Sequence, residues 1–399
     1  LISFTAKLGI YFMLLDNTKN GFSLKSNFEL KKAYFLFKII SNKSLTNIGK
    51  KVLEFSLKLR LPILFLVKGT VFEQFCSGES LDESFKTVER LYEKNVKSYL
   101  HYSVEGLEND ESYDTSLNEV LDSIKFVANK NILDFTVFKP TAIANSKILQ
   151  KVSENKPLEK NEQELYERIL SRFDTICSLA HKKGVKILVD AEESWIQDSI
   201  DEIVLKMMIK YNKQKTIVFN TSQMYRHDRL EYLERLKNIA EKENFLIGIK
   251  LVRGAYIEKE NKRALKNNYR SPICDSKELT DLNFNKGASY ILLNLNIFSL
   301  FSGTHNEESI YKIIDIMKSH NVDNGNQKIW FGQLYGMSDN ISFNLANEGF
   351  NAIKYLPFGP IKEVIPYLIR RADENTSVKG QTSRELELIK TELKRRKTI

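Results

Sequence analysis

The sequence contains 399 residues, of which 42% are hydrophobic and 28% are charged. This is an ordinary globular composition, and the length suits one large α/β domain or two smaller ones. The formal net charge of +9 comes from scattered basic residues that cluster tightly only at Lys394–Lys397, which favours a solvated surface over a nucleic-acid or membrane patch. The three cysteines lack CxxC spacing, which argues against a disulfide framework or a structural zinc site. No segment approaches the roughly 20 apolar residues of a membrane span.

The first 95 residues are predicted to be helical. Helical patterns cover Asn27–Ile40, Leu45–Leu59 and Leu81–Asn95. No Pro/Gly-rich linker separates them from the following residues, so we expect residues 1–95 to be a helical extension that packs on the main domain.

From about residue 98, short β-branched and aromatic runs alternate with helical stretches. Strands are predicted at Ser98–Val104, Asp134–Lys139, Lys186–Asp190, Thr216–Asn220, Leu246–Val252, Asn294–Phe301, Lys328–Gln333 and Ala352–Tyr355. The third strand is apolar nearly throughout, as a strand that is buried on both faces should be.

The helices between the strands carry apolar residues at helical spacing. Clear examples are Trp195–Tyr211, Arg229–Glu243, Glu307–His320 and Lys362–Glu374, and Ser383–Arg395 is a final helix. This alternation predicts an α/β fold: a distorted (β/α)8 barrel of the TIM type over residues 96–380, followed by a C-terminal helix in 381–399. A doubly wound Rossmann sheet is disfavoured, because no G-x-G-x-x-G follows any strand.

Polar, charged or aromatic residues follow all eight predicted strands. The eight ends are Val104–Gly106, Lys139–Ala142, Asp190–Glu193, Asn220–Gln223, Arg253–Tyr256, Gly303–Asn306, Gln333–Gly336 and Tyr355–Phe358. Barrel enzymes place their chemistry at the C-terminal ends of the strands, and a purely structural barrel has no need of such groups there. We therefore expect an active site at these strand ends.

Six segments at and after the strand ends resemble the signature segments of the proline dehydrogenase family, in the family's order. They are DAEESW, QMYRHDRL, KLVRGAY, GTHN, GQLYGMSD and KYLPFGPIKEVIPYLIRRADENTS, within a resemblance that runs from about Gly78 to the C-terminus. The resemblance implies a distorted (β/α)8 barrel that holds FAD non-covalently. It also implies oxidation of L-proline to Δ1-pyrroline-5-carboxylate and transfer of the electrons to a membrane quinone. Peripheral contact with the membrane is left open, and nucleic-acid binding is not expected.

Oxidation of a secondary amine to an imine needs a hydride acceptor, which the flavin supplies, and a grip on the substrate carboxylate. Arg370 and Arg371 offer two adjacent planar guanidinium groups, and Glu374 lies on the same side of the helix. Helical spacing alone favours an exposed salt-bridged group of these three residues, whereas the resemblance favours a substrate-binding site. By resemblance, Glu105 pairs with the first arginine and closes the site over the substrate. The walls around the proline ring are, by resemblance, Tyr256, Leu334 and Tyr355.

Lys139 follows a buried strand, where a lysine is a flavin or carboxylate ligand or a Schiff-base nucleophile; the resemblance places it at the flavin. Asp190 is similar to the family aspartate that supports the substrate pocket, and it could also be the N-cap of the next helix. Gly254 lets the backbone approach a ring or a pyrophosphate closely. The residues that the resemblance places at the cofactor are Lys139, Asp190, Ala191, Gln223, Lys250, Val252, Arg253, Gly254, Ala255, Thr304, His305, Asn306 and Glu374. The residues that it makes catalytic are Lys139, Asp190, Arg370, Arg371 and Glu374.

One residue departs from the family pattern. His101, inside the first predicted strand, occupies a place where the family usually has an aspartate. A titratable group that can be cationic replaces an anion there, so substrate affinity or the pH optimum is expected to differ from the family norm.

Three other functions compete with this one. A Schiff-base lyase or aldolase, or a pyridoxal-phosphate barrel, would use Lys139 but leaves the paired arginines and GTHN without a role. A basic nucleic-acid-binding protein needs clustered Lys/Arg with interleaved aromatics, which are lacking. A non-catalytic scaffold does not explain matching residues at every strand end. Because no transit peptide is evident, bacterial cytoplasm at the inner membrane is favoured over the mitochondrial matrix.

Overall fold

The structure of the protein is a computed structural model that describes residues 14–58, 64–103, 109–377 and 381–398, with the side chains of 54–58, 373–377 and 381 left out. The chain forms two compact units. One unit combines the described residues up to 105 with those from 332 onward, and the other is Gly106–Phe331. Domain boundaries at 95 and 380 stay predictions.

Eight parallel strands form a closed barrel in chain order. They are β1 (Lys97–Tyr102), β2 (Leu133–Phe138), β3 (Lys186–Val189), β4 (Val218–Gln223), β5 (Ile247–Val252), β6 (Phe298–Gly303), β7 (Ile329–Leu334) and β8 (Ala352–Phe358). The predicted α/β barrel of the TIM type is therefore confirmed, with all eight strands close to their predicted positions.

Helices precede, separate and follow the strands. They are α1 (Thr18–Gly21), α2 (Asn27–Ile40), α3 (Lys43–Lys58), α4 (Leu64–Val67), α5 (Glu73–Phe75), α6 (Leu81–Tyr92), α7 (Asp110–Ala128), α8 (Ser146–Ser153), α9 (Lys160–Lys183), α10 (Ser194–Tyr211), α11 (Arg229–Glu243), α12 (Ile257–Asn267), α13 (Lys277–Leu292), α14 (Glu307–Ser319), α15 (Asp339–Asn347), α16 (Ile361–Ser377) and α17 (Gln381–Lys397). A π-helical turn, Lys68–Phe72, and a 3₁₀ turn, Pro140–Ala142, complete the regular structure of the described ranges. None of the helices in these ranges is long and apolar enough to cross a membrane.

The predicted helix ends lie within three residues of the observed ends, and capping residues define several of the observed ends. α2 starts and ends as predicted, and its N-terminus carries a capping box in which Ser26 and Glu29 bond each other's backbone N–H groups. α9 ends at Gly184, whose φ of +69° is the left-handed conformation that glycine adopts without strain.

Two strands, β4 and β6, start two or more residues later than predicted. Asn294–Ile297 form a hydrogen-bonded turn after α13 instead of the beginning of β6. Before β4, the Asn212 side chain accepts hydrogen bonds from the backbone N–H groups of Ile217 and Val218, at 2.9 and 2.8 Å. β4 also continues through Thr221, Ser222 and Gln223, which the polar composition had suggested were a loop.

Aromatic rings fill the part of the barrel near the strand starts in the second unit. The Phe135 ring lies 4.9 Å from Trp330, 5.5 Å from Phe301 and 5.6 Å from Phe219, centroid to centroid, in edge-to-face geometry. All four side chains are at most 1% exposed. The barrel is therefore a packed core here, and polar groups concentrate toward the strand ends.

The first unit buries a four-residue charge cluster of Lys25, Asp339, Lys354 and Glu385. The Lys354 ammonium lies 2.9 Å from the Asp339 carboxylate, which also faces Lys25 at 3.4 Å. Glu385 of α17 accepts the Ser338 N–H at 3.1 Å, next to the start of α15. Two lysines therefore balance two carboxyl groups inside this unit.

Candidate active site

Lys250 and Asp190 form an ion pair at the strand ends of the second unit. The Lys250 ammonium, on β5, lies 2.6 Å from the carboxylate of Asp190, which follows β3 directly. Lys250 is only 8% exposed, so the pair is held in a low-dielectric setting. The structure thus brings together two residues that the sequence placed at the site. The alternative role of Asp190 as a helix cap is wrong, because Glu193 occupies the N-cap of α10.

Gln223, the last residue of β4, has a buried acceptor that no described residue satisfies. Its side-chain Nε2 donates to the backbone carbonyl of Glu192 at 2.7 Å and to the Tyr225 hydroxyl at 3.2 Å. These two acceptors fix which side of the amide carries the nitrogen. The Oε1 atom is left without a hydrogen-bond partner although the residue is 2% exposed. Such an atom is expected where a ligand supplies the missing donor.

Glu192 is a buried carboxyl group that the sequence analysis named only as part of a strand end. It is 4% exposed and accepts hydrogen bonds from the Thr141 backbone N–H at 2.8 Å and the Thr141 hydroxyl at 2.6 Å. Burial raises the pKa of Glu192 to about 7, and the positive charge of Lys139 opposes this shift. Lys139 itself is half-buried just after β2. The lysine and the carboxyl group therefore influence each other electrostatically.

Arg253, just after β5, is held by three side chains. It donates to Asp281 at 2.6 Å, to Thr304 at 2.7 Å and to Ser309 at 2.8 Å. Its guanidinium plane also lies over Phe284, at 4.4 Å from the ring centroid. Arg253 and Thr304 thus meet as the sequence suggested, and Asp281 is a partner that it did not indicate.

Some of the residues around Arg253 have a structural role within the protein, and for the others the structure gives only their location. Gly254 has φ +107°, and a Cβ there would lie 1.4 Å from the Tyr225 ring, so Tyr225 is the ring that requires a glycine. Asn306 is the N-cap of α14 and accepts the Ser309 N–H at 2.9 Å. His305 is half-buried beside it. The remaining cofactor candidates are Val252, the last residue of β5, Ala255 in the loop after β5, and Ala191 in the loop after β3.

Tyr256 is the N-cap residue of α12 in the second unit and is half-buried. Burial, followed by the charges of Glu192, Glu193 and Asp190, raises the pKa of its hydroxyl well above the usual value. The phenol therefore stays protonated and can donate a hydrogen bond at neutral pH.

In the first unit, Tyr355 of β8 lies in a cluster of rings. Its ring is 5.3 Å from Tyr99 and 6.3 Å from Tyr367, and its hydroxyl hydrogen-bonds His101 Nδ1. The His101 nitrogen is also 2.9 Å from the Ser103 hydroxyl. The residue that departs from the family pattern thus contacts a predicted wall of the substrate pocket.

The two arginines of α16 differ in exposure. Arg370 is exposed, whereas Arg371 is half-buried with its guanidinium 5.1 Å from the Tyr367 ring centroid. Leu334, the last residue of β7, is half-buried as well. Glu105 and the side chain of Glu374 lie outside the described residues, so their predicted roles stay predictions.

A closed (β/α)8 barrel with buried charged and amide groups at its strand ends is the architecture of a barrel enzyme. Comparison with known proteins identifies the family. Residues 84–384 match the family model described as proline dehydrogenase. The chain belongs to the proline dehydrogenase family.

Individual relatives agree. The chain is 33% identical to proline dehydrogenase 1, mitochondrial, of Dictyostelium discoideum, over 96% of this chain and 75% of that protein. It is 36% identical to the carbapenem antibiotics biosynthesis protein CarD of Pectobacterium carotovorum, over 81% and 83% of the two chains. It is 29% identical to hydroxyproline dehydrogenase of Xenopus laevis, over 94% and 88%.

The barrel also resembles a solved structure. Proline utilization A (PutA) from Bdellovibrio bacteriovorus, inactivated by N-propargylglycine, superimposes with a TM-score of 0.73 at 19% identity. The match covers 93% of this chain and 40% of the PutA chain. At this identity the similarity establishes the fold alone.

Proposed function

We propose that the protein is an FAD-dependent proline dehydrogenase that oxidises L-proline to Δ1-pyrroline-5-carboxylate. Family membership supports the reaction class. The single observation that carries the cofactor proposal is the buried, unpartnered Oε1 of Gln223. An acceptor in this position suits a ring N–H or a ribityl hydroxyl of a flavin. Bound FAD would supply the hydride acceptor for the C–N bond of proline.

The residues divide the remaining work. Arg370 and Arg371 hold the substrate carboxylate, since guanidinium groups match its planar geometry. Leu334 and the rings of Tyr256 and Tyr355 enclose the apolar proline ring. Glu105 and Glu374 are proposed to order the arginines, and residues 96–380 to form the catalytic barrel domain, with the helical extension 1–95 and the C-terminal helix 381–399 outside it.

The cofactor residues of the second unit have separate proposed roles. The Lys139 ammonium group would stabilise negative charge on a bound flavin or hold the substrate carboxylate. The Lys250–Asp190 pair presents a fixed charge at the strand ends. Arg253 with Thr304, His305 and Asn306 suits the phosphate part of a dinucleotide, because Arg253 and the start of α14 lie together.

An assay for the cyclic imine product tests the function directly. Purified protein reconstituted with FAD is expected to form Δ1-pyrroline-5-carboxylate from L-proline with a quinone analogue as acceptor. A run with 4-hydroxyproline in parallel distinguishes the two substrates that the relatives' names suggest. No product with either amino acid would contradict the proposal.

The Schiff-base alternative is tested with borohydride. A nucleophilic lysine must lose its proton near neutral pH, and the imine that it forms is trapped by reduction. We expect no adduct on Lys139 after treatment with pyruvate and borohydride, as judged by mass spectrometry of a tryptic digest. A reduced adduct on Lys139 would favour the aldolase.

We further propose that the electrons pass to a membrane quinone and that α2 and α3 make peripheral contact with the bilayer. α2 has two apolar faces. One is buried, and consists of Leu30, Ala33, Phe37 and Ile40. The other is exposed: Phe28 is 75%, Phe35 is 67% and Ile39 is 48% exposed. A helix that is apolar on both faces normally buries both.

α3 continues this exposed surface, because Leu45, Ile48 and Val52 are 48%, 59% and 56% exposed at helical spacing. Between residues 27 and 53 there is one acidic residue, Glu29, and the lysines are Lys31, Lys32, Lys38, Lys43, Lys50 and Lys51. An apolar face flanked by lysines suits the surface of an anionic bilayer.

Vesicle flotation tests the membrane contact. The protein is expected to float with anionic vesicles and less with zwitterionic ones, and Phe35→Ser with Ile48→Ser should weaken the binding. Leu265→Ser, which changes an 86% exposed leucine on α12, is the control and should leave flotation unchanged. An equal loss of flotation in the Phe35→Ser/Ile48→Ser protein and in the control, or no flotation of the wild type with anionic vesicles, would show that α2 and α3 are not the membrane-binding surface.

The compartment follows the relatives. The names of the D. discoideum and Arabidopsis thaliana proteins include the word mitochondrial. We therefore favour the mitochondrial matrix, the second of the two compartments that the sequence suggested, over bacterial cytoplasm.

A further inference from the structure

Thr141 follows Lys139 by two residues, and both of its hydrogen-bond donors are held by one buried carboxyl group. β2 ends at Phe138, and Lys139 begins a 3₁₀ turn closed by the Ala142 N–H on the Lys139 carbonyl at 3.1 Å. Within that turn, Glu192 accepts the Thr141 N–H at 2.8 Å and the Thr141 hydroxyl at 2.6 Å. Two hydrogen bonds to one carboxylate fix the turn in position and in orientation.

Glu192 is itself fixed from the other side. Its backbone N–H donates to Gln197 Oε1 at 2.8 Å, and Gln197 Nε2 donates to Asp201 at 2.8 Å. Asp201 binds Arg229 at 2.7 Å. This chain of buried contacts joins α10 and α11, so Glu192 rests on rigid structure and not on a mobile loop.

The Glu192 backbone also holds the cofactor candidate Gln223. The Glu192 carbonyl accepts the Gln223 amide at 2.7 Å, and this contact leaves Gln223 Oε1 as the unpartnered acceptor. One residue therefore contacts both the turn behind Lys139 and the amide at the end of β4. The groups that face its carboxyl are Lys139, Glu193, Thr141 and the phenol of Tyr256.

We propose that Glu192 is a positioning residue of the dehydrogenase: its carboxyl group fixes the turn at Thr141, and thereby sets the position of the Lys139 ammonium group against the flavin and the substrate. This inference rests on the proposed function. Glu192 acts through Lys139 and is not assigned contact with the substrate. A displacement of about 1 Å at a reacting group can lower turnover by about 100-fold, so loss of the carboxyl group behind the lysine is expected to affect catalysis.

The molecule contains a matched control. Glu260 is 0% exposed and holds Ser194 in the same way, through its N–H at 2.7 Å and its hydroxyl at 2.6 Å. Ser194 begins α10 and is not itself a cofactor candidate, although it follows Glu192 by two residues. Glu192 and Glu260 therefore make the same pair of hydrogen bonds, and only the first supports the turn of Lys139.

The experiment compares Glu192→Ala with Glu260→Ala in FAD-loaded protein. Both are expected to lower the melting temperature, because each leaves two partly buried donors without their acceptor. Only Glu192→Ala should lower kcat with proline, by between about 10- and 100-fold, and shift the absorption spectrum of the bound oxidised flavin. Glu192→Gln should recover most of the activity, because its amide oxygen accepts the Thr141 N–H and its NH₂ donates to the hydroxyl.

Thr141→Val keeps the inference testable if Glu192→Ala does not fold. It removes the hydroxyl alone, so it should lower kcat, and the double variant with Glu192→Gln should be non-additive. A kcat of Glu192→Ala or Thr141→Val within about twofold of wild type, or an equal loss in Glu260→Ala, would overturn the positioning role. A wild-type protein that neither binds FAD nor oxidises proline overturns the proposed function, and this inference with it.

Discussion

The two units of the molecule both bury charge, and they do so differently. In the first unit, Lys25 and Lys354 face Asp339, and Lys354 donates its remaining contacts to the carbonyls of Met337 and Leu334. In the second unit, Lys250 pairs with Asp190, while Gln223 keeps a buried acceptor that has no partner among the described residues.

This difference distinguishes a structural cluster from a binding site. Burial of charge is common to both, so burial alone does not mark function. An acceptor that the protein leaves unsatisfied is a free-energy cost that a ligand removes. The strand ends of the second unit are therefore where a ligand is expected, and the four-residue cluster of the first unit is expected to act on stability only.

The largest expected effect is a loss of stability when the four-residue charge cluster of the first unit is broken. Lys354→Met removes a fully buried ammonium and leaves Asp339 with Lys25 as its remaining lysine. Breaking a buried pair in this way lowers the free energy of unfolding by about 3–5 kcal/mol, measured by urea denaturation. Lys125→Met, in an exposed pair with Asp122, is the control and should change stability by less than about 1 kcal/mol. Similar losses in the two variants would show that the cluster is not special.

Arg371→Ala tests the first unit's proposed contribution to the substrate. Flavin content should stay near normal, while kcat/KM for proline falls. Loss of one partner of a buried charge pair costs about 2–5 kcal/mol, or roughly 30- to several-thousand-fold. Arg371→Lys should recover only part of it, because an ammonium group is not a planar fork. An unchanged kcat/KM in Arg371→Ala would remove the carboxylate role.

The pH dependence of stability sharpens the comparison, since each unit holds a carboxyl group whose pKa is raised to about 7 by burial. Burial raises the pKa of Glu192, in the second unit, and of Glu385, in the first, from 4.5 to about 7. The folded-state pKa is the higher one, so the folded protein holds the proton more tightly than the unfolded chain. The contribution of each carboxyl group to the free energy of unfolding is therefore complete below pH 4.5 and is lost as pH rises through about 7.

Each shift corresponds to about 3 kcal/mol. Unfolding free energies between about pH 5 and pH 8 should therefore fall less steeply in Glu192→Gln and in Glu385→Gln than in wild type. Glu385→Gln should leave the rate of flavin reduction by proline unchanged, whereas Glu192→Ala should lower it. Parallel pH curves for wild type and both variants would contradict the assignment.

The smallest expected effect is on Tyr355. His101→Ala removes a close partner of the Tyr355 hydroxyl, which also lies 3.5 Å from the Ser103 hydroxyl, and the weakened hydrogen bonding of a buried group costs up to about 1–3 kcal/mol. The effect should fall on KM for proline, by roughly 5- to 150-fold, with kcat less affected. Ser103→Ala, which removes only the hydroxyl at 2.9 Å from His101, should have a smaller effect. A larger effect of Ser103→Ala would mean that His101 does not orient the tyrosine.

The fold could be predicted from the sequence because its strands and helices carry recognisable local patterns. α2, with its Ser26 cap, and α11 have their predicted bounds. β4 does not, because Thr221, Ser222 and Gln223 are polar residues in a fully buried strand, and polarity normally indicates a loop. The error fell at the site, where local preference and function conflict.

The candidate site could be predicted in outline but not in its supporting contacts. Lys250 and Asp190 are 60 residues apart, and the barrel pattern with the family segments was enough to assign both to the candidate site. Glu192 accepts hydrogen bonds from Thr141 across 51 residues, and Asp281 binds Arg253 across 28. No periodicity indicates which carboxylate of a strand-end loop or helix turns inward, since that depends on packing between elements.

The most direct test is anaerobic mixing of the FAD-loaded protein with L-proline while the flavin absorbance is followed. If the protein is an FAD-dependent proline dehydrogenase, we expect proline to bleach the yellow oxidised flavin without oxygen. The flavin should then stay bleached until a quinone analogue is added. Reoxidation by oxygen alone should be slow. A protein that cannot be loaded with FAD, or a bound flavin that stays oxidised in excess proline, would contradict the proposed FAD-dependent oxidation of proline.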